Sequence, residues 1–125
     1  MALRCLIVDD NGGFRDAARS LLEREEIEVV GVASNSAEAR SSVEELRPDV
    51  VLVDIALGSE SGFELAQALA REDGPTLILI STLAEADFVD LIAESPAVGF
   101  IAKSELSARA VRDLVADDDA RGARR

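Results

Sequence analysis

The stretch Asp49-Val50-Val51-Leu52-Val53-Asp54 decides the fold, because it is a short β-branched run with no polar residue inside it. Such a run predicts a strand buried on both faces, which occurs mainly in parallel sheets covered by helices on both sides. Asp54 then lies at the carboxyl end of the strand. In open α/β sheets, ligands bind outside the carboxyl ends of the strands, at a topological switch point. Asp54 is therefore a candidate reactive group.

Apolar runs alternate with helical stripes along the rest of the chain. Besides the quoted stretch, strands are predicted at residues 3–8, 27–32, 76–80 and 98–102. A helix is predicted after each strand, and the five helices begin near residues 14, 35, 61, 84 and 104. Phe14 begins the apolar stripe that is predicted to form the buried face of the first helix. Strict alternation requires parallel strands joined by right-handed crossovers, hence a three-layer α/β sandwich. The flavodoxin-like strand order 2-1-3-4-5 would place the switch point between the first and third strands.

Local signals set the limits of several elements. Residues 56–60, which follow the central strand, are predicted to form a loop, and Asp73-Gly74-Pro75 marks a turn. Ser104 is predicted to cap the fifth helix. The fourth helix is predicted to end at Ser95-Pro96 and to carry on its apolar face Ala84, Phe88, Leu91 and Ile92.

The composition fits one cytoplasmic domain with an aliphatic core. The 125 residues are 48% hydrophobic but only 3% aromatic, so the interior must consist of Leu, Val, Ile and Ala side chains. The formal net charge of -12 disfavours DNA and anionic membranes and favours proteins or cations as partners. Without any histidine, zinc sites and histidine-based catalysis are excluded. The single Cys5 is expected to be buried, and no signal peptide or run of transmembrane length is found.

Reactive side chains are predicted at the ends of four strands. They are Asp9 and Asp10 on the first, Asp54 on the third, Ser81 on the fourth and Lys103 on the fifth. Three neighbouring carboxylates repel one another unless a cation joins them, and an all-oxygen cluster suits Mg²⁺. The Lys103 ammonium could hold a phosphoryl oxygen, to which the Ser81 hydroxyl could donate. The pattern predicts that Asp54 accepts a phosphoryl group and forms an acyl phosphate.

Each of these residues also has a purely structural interpretation. An aspartate after a strand is usually a helix or turn cap, which would account for Asp9 and Asp10. Lys103 would more often be a solvated strand end, and Ser81-Thr82 would more often cap the next helix. Because all four strand ends meet at one edge of the sheet, we favour a chemical role for these residues over a purely structural one.

These residues resemble those of a known family, the receiver domains of two-component response regulators. The resemblance extends from Leu3 to about Ala116. It consists of an acidic pair, a central aspartate followed by a loop and a glycine, a hydroxyl, and an aromatic residue three positions before a lysine. In this sequence those positions are Asp9, Asp10, Asp54, Gly62, Ser81, Phe100 and Lys103.

The resemblance implies a phosphoacceptor with a bound metal ion. Asp54 would be phosphorylated by a partner histidine kinase or phosphotransfer protein. Mg²⁺ would be held by Asp10, Asp54 and the backbone carbonyl of Ala56, with Asp9 contributing largely through water. No enzymatic activity is expected beyond gain and loss of the phosphoryl group.

The resemblance also implies a conformational switch. The Ser81 hydroxyl would turn toward the phosphoryl group and Phe100 would rotate inward, reshaping the face made by the fourth helix, fifth strand and fifth helix. Packing in the core is the alternative role of Phe100. The sequence departs from the family at Gly58 and Ser104, where proline is common. Because Ser104 and not proline follows Lys103, the sequence does not decide whether the peptide after Lys103 is cis.

The expected organisation is a receiver domain at residues 1–116 and a tail, or the start of a linker, at residues 117–125. Lys103-Ser104, with Gly-Phe just before, looks like the subfamily that carries a helix-turn-helix DNA-binding domain and regulates transcription. This domain alone is expected to bind neither nucleic acid nor membrane, and it could form a homodimer. One rival is a degenerate receiver acting as a phosphorylation-independent interaction module. Another is a metal-dependent phosphohydrolase, which commonly needs a second acid where this chain has Ala56.

Overall fold

The computed structural model describes residues 2–121, in which the five strands of the main sheet alternate with five helices. The strands are β1 Arg4–Val8, β2 Glu28–Ala33, β3 Val50–Asp54, β4 Thr76–Ser81 and β5 Gly99–Ala102. The helices are α1 Gly12–Arg24, α2 Ser36–Leu46, α3 Gly62–Leu69, α4 Val89–Glu94 and α5 Ala108–Arg121. No helix within residues 2–121 combines the length and the apolar character that a bilayer crossing requires.

The five strands form one parallel sheet in the order β2-β1-β3-β4-β5, which confirms the predicted order 2-1-3-4-5. In the register, Val8 lies beside Val53 and Asp54 lies beside Ile80, so the strands end at one edge. The β1–β2 register shifts once between Cys5 and Leu6. This sheet edge is where the predicted reactive residues lie, and we call it the rim.

Two apolar layers cover the sheet. On one face, Leu52 packs with side chains of α1 and α5, and on the other face Val51 and Val53 pack with side chains of α2 and α3. Every residue of β3 is buried, as expected for a central strand in a three-layer sandwich. Cys5 is fully buried, as predicted, and burial raises the pKa of its thiol to about 12.

The predicted loop after β3 contains a small hairpin instead. Ala56–Leu57 pairs antiparallel with Glu60–Ser61. Gly58 begins the two-residue connection with a φ of 61°, a conformation that glycine adopts without steric cost. Loop composition predicted the turn but not the short ladder on either side of it.

The predicted fourth helix is wrong in its extent and in half of its core face. A 3₁₀ turn at Glu85–Phe88 precedes α4, which has only six residues. Phe88 and Ile92 pack against the core, but Ala84 is exposed and Leu91 is 50% exposed. A 3₁₀ turn has three residues per turn, so it shifts the phase of the apolar positions relative to a continuous α-helix.

The predicted cap of the last helix is also displaced. Ser104 lies in a 3₁₀ turn at Lys103–Glu105, and the Ser107 hydroxyl accepts a hydrogen bond from Ala110 N at 3.0 Å. Helix α5 continues to Arg121, so residues 117–121 of the predicted tail are helical. Residues 122–125 of that tail lie outside the described residues.

Candidate functional site

The rim brings together side chains from three strands of the sheet. Asp9 follows β1, Asp54 ends β3, and Lys103 follows β5. Lys103 Nζ lies 2.6 Å from Asp9 Oδ2 and 3.1 Å from Asp54 Oδ2. Residues separated by 45 and more positions in the chain therefore form one ionic cluster, as the strand order predicted.

The acidic pair after β1 divides into one buried and one exposed carboxylate. Asp9 is fully buried, whereas Asp10 is exposed. Asp9 Oδ1 accepts a hydrogen bond from Asn11 N at 2.9 Å, so its structural interpretation as a turn cap is correct. Asp9 Oδ2 forms the ion pair with Lys103, yet it accepts no well-oriented hydrogen bond within the described residues. One oxygen therefore caps the turn, and the other is available to the cluster.

Asp54 is nearly buried, with 6% of its surface exposed. Its Oδ1 accepts a hydrogen bond from Ala56 N at 3.1 Å. Burial raises the pKa of the Asp54 carboxyl and the Asp9 charge adds to the rise, while the hydrogen bonds from Ala56 and Lys103 oppose it. Behind the residue, a side chain on Gly62 would place its Cβ 2.0 Å from Asp54 O, so only glycine fits there.

The Lys103 side chain is 13% exposed, so it is not the solvated strand end of the structural interpretation. Burial acts to lower the pKa of its ammonium, but the interactions with Asp9 and Asp54 outweigh burial and raise the pKa. Lys103 is therefore a fixed positive charge between two carboxylates. The peptide after it is trans, since the described chain contains no cis peptide.

Ser81 and Phe100 are less closely tied to the cluster. Ser81 is buried at the end of β4, and its hydroxyl accepts a hydrogen bond from Leu83 N at 2.9 Å. This contact forms a local turn and not the helix cap of the structural interpretation, since the next helical turn begins at Glu85. Phe100 is partly buried and packs on the α2 and α3 face of the sheet, in agreement with core packing.

Two neighbours of the site were missed by sequence reasoning. The Phe14 ring lies beneath the ammonium of Lys103, with Nζ 4.4 Å from the ring centroid. Arg15 Nη1 donates a 2.7 Å hydrogen bond to the backbone carbonyl of Asp9. Phe14 was predicted only as a member of an apolar helix stripe. The position of Phe14 in the first helical turn after the acidic pair could have indicated that its ring lies near the site.

The three aspartates could hold a metal ion. One carboxylate oxygen from each of Asp9, Asp10 and Asp54 lies within 4.8 Å of the others. All the donors are hard oxygens, which suit Mg²⁺. A divalent cation would also satisfy Asp9 Oδ2, the buried oxygen without a hydrogen bond. The residues present therefore fit the predicted ion.

The family model of the response regulator receiver domain matches residues 5–116. The chain belongs to this family. Receiver domains are phosphoacceptor switches of two-component systems, and the predicted family and the predicted flavodoxin-like fold are both confirmed.

Relatives of this receiver domain belong to longer proteins. Protein-glutamate methylesterase/protein-glutamine glutaminase 3 of Burkholderia thailandensis is 35% identical over 107 residues, 83% of this chain and 30% of that protein. The sensory transduction protein LytT of Bacillus cereus is 38% identical over 81 residues, 64% of this chain and 33% of that protein. The chain thus spans about a third of the length of these curated relatives.

Solved structures support the same fold. The signal receiver domain of NarL from Mycobacterium tuberculosis superposes with a TM-score of 0.80 at 28% identity, covering 91% of this chain and 96% of that one. A LuxR-family two-component response regulator from Aurantimonas superposes with a TM-score of 0.83 at 26% identity, covering 94% and 87%.

Proposed function

We propose that this receiver domain accepts a phosphoryl group on Asp54 from a histidine kinase or phosphotransfer protein and changes conformation to control an output. The supporting observation is the rim, where the Asp54 carboxylate lies 3.1 Å from the Lys103 ammonium and close to two further carboxylates. A carboxylate in this setting can act as a nucleophile whose product is stabilised by cations.

In the proposed reaction, an Asp54 oxygen attacks phosphorus. The bond from phosphorus to the donor's histidine nitrogen breaks, and its electron pair remains on that nitrogen. Lys103 provides positive charge for the phosphoryl oxygens, and hydrolysis later releases phosphate and restores the carboxylate. The chain needs no histidine of its own, which agrees with a composition that has none.

The proposed metal ligands are Asp10, Asp54 and the backbone carbonyl of Ala56, with Asp9 acting largely through water. When bound, Mg²⁺ would neutralise charge on the transferring phosphoryl group. Asp10 is the exposed member of the cluster, and so it offers an oxygen at the solvent side.

The proposed switch uses Ser81 and Phe100. The Ser81 oxygen accepts from Leu83 N, which leaves the hydroxyl proton free to be donated to a phosphoryl oxygen. Phe100 is only partly buried, so an inward rotation would increase its burial. A phosphoryl group would favour one of two states by this differential contact.

The wider protein is also a matter for proposal. We assign residues 1–116 to the receiver domain and residues 117–125 to a tail or the start of a linker. From the resemblance to receivers of helix-turn-helix DNA-binding regulators, we propose that the output is transcription regulation in the cytoplasm, with no nucleic-acid or membrane contact by this domain. A homodimer is a further proposed assembly.

The test is labelling with ³²P-acetyl phosphate in the presence of Mg²⁺. Asp54→Asn should abolish the acid-stable, base-labile label of an acyl phosphate, because an amide oxygen is a poor nucleophile. Asp49→Asn is the matched control, since Asp49 lies at the opposite end of the same strand, where it accepts a hydrogen bond from Arg4 N. Unchanged labelling of Asp54→Asn would disprove the proposal, and an unlabelled wild type would support the degenerate receiver.

A further inference from the structure

The Lys103 ammonium has an aromatic neighbour in addition to its two carboxylates. Nζ lies 4.4 Å from the centroid of the Phe14 ring, within the range of a cation–π contact. The sequence contains four phenylalanines, and the other three pack on the opposite face of the sheet. Phe14 is therefore the aromatic residue of this face, and it lies directly against the site.

The backbone holds Phe14 in this place. Phe14 N donates a 3.0 Å hydrogen bond to Asn11 Oδ1, the side chain that caps α1. Asn11 N in turn donates to Asp9 Oδ1 at 2.9 Å. The ring, the helix cap and the buried aspartate are thus linked through consecutive short hydrogen bonds.

We propose that Phe14 is a positioning residue that holds the Lys103 ammonium while its anionic partners change, an inference that rests on the proposed function. A metal ion among the three aspartates would compete with Lys103 for the Asp54 carboxylate. Phosphorylation would convert an Asp54 oxygen into the bridging oxygen of an acyl phosphate and offer new phosphoryl oxygens. The ring face attracts the ammonium without a fixed donor direction, so the ammonium can pivot between these partners and remain in place.

The test compares Phe14→Leu, which keeps an apolar side chain without a π face, with Phe14→Tyr, which restores the ring. The rate of Asp54 labelling by acetyl phosphate at saturating Mg²⁺ should fall roughly three- to thirtyfold in Phe14→Leu. Phe14→Tyr should recover most of the rate. Saturating Mg²⁺ keeps any difference in Mg²⁺ affinity between the variants out of the measured rate.

A direct readout of the contact is also available. Lys103 is the only lysine in the sequence, so labelling with ¹³C,¹⁵N-lysine gives one set of NMR signals. The ring current should shift the methylene protons beside Nζ upfield in the wild type and in Phe14→Tyr. That shift should be lost in Phe14→Leu.

Two controls separate positioning from packing. Phe63→Leu removes a ring from the start of α3, on the opposite face, and should leave the labelling rate unchanged. In a Lys103→Ala background, Phe14→Leu should cause no further loss of rate. The inference would be overturned if Phe14→Leu lowered the labelling rate equally in the wild-type and Lys103→Ala backgrounds. It would also be overturned if Phe14→Leu lost the ring-current shift of Lys103 but kept the wild-type labelling rate. Neither outcome would contradict phosphorylation of Asp54. If Phe14→Leu does not fold, Phe14→Met provides the same comparison.

Discussion

The strands that end at the rim and the α4 segment, residues 83–94, share an apolar sequence pattern but differ in burial. At the rim, Asp9 and Asp54 are buried behind strands whose residues are almost wholly inaccessible. In the α4 segment, Leu83, Val89 and Leu91 are each at least half exposed. Both regions have an apolar sequence pattern. The difference teaches that such a pattern indicates burial reliably where a sheet fixes side-chain direction, and poorly in a short helix.

The largest expected effect comes from making the same substitution in both regions. Leu52 in β3 is fully buried, and Leu52→Ala should lower the free energy of unfolding by about 3–5 kcal/mol through lost burial and a residual cavity. Leu91 in α4 is 50% exposed, and Leu91→Ala should change the same quantity by less than about 0.5 kcal/mol. Urea unfolding of the three proteins measures both values.

Equal losses in the two alanine variants would contradict the difference in burial. The slope of the unfolding free energy with urea should be the same for all three proteins, because the surface exposed on unfolding hardly changes. A large loss in Leu91→Ala would mean that the α4 segment is covered in solution.

A smaller effect is expected from a glycine behind the phosphoacceptor. The new Cβ of Gly62→Ala would lie 2.0 Å from Asp54 O, so the backbone must move at a cost of about 2–3 kcal/mol. Gly12→Ala is the matched control in α1, where the Cβ would meet Arg15 Nη2 at an ordinary 3.4 Å. Thermal and urea unfolding compare the two. A Gly62→Ala protein as stable as wild type would show that the rim is not closely packed.

The sequence predicted the sheet and the ionic cluster for the same physical reason. Buried parallel strands leave an unbroken apolar run, and their ends must meet at one edge, so Asp9, Asp54 and Lys103 could be brought together without coordinates. Helix phase was less predictable, because a 3₁₀ turn before α4 changed which residues face the core. Phe14 was predicted only as a core residue, since periodicity identifies an apolar face but not the charged group above it.

The smallest expected effect is a decrease in the free energy of unfolding at alkaline pH, caused by the Cys5 thiol that is buried in the sheet. Burial raises the pKa of this thiol from 9.0 to about 12. Between these values the unfolded chain releases the thiol proton and the folded chain keeps it, so stability falls as pH rises. The loss should reach about 1.4 kcal/mol near pH 10 relative to neutral pH.

Cys5→Val isolates this effect, because valine has similar size and cannot ionise. The sequence has no tyrosine or histidine, so the other groups that titrate in this range are Lys103 and the amino terminus, present in both proteins. The folded protein also raises the pKa of Lys103, so the stabilisation from its ion pairs is lost only as the pH rises above 10.5, the ordinary pKa of a lysine. Urea unfolding at about pH 8 and pH 10 should therefore give a smaller decline for Cys5→Val than for the wild type. If the free energy of unfolding fell equally in the two proteins between these pH values, the thiol would be as accessible to solvent as the exposed side chains of α4. The difference in burial between the sheet interior and that helix would then be wrong.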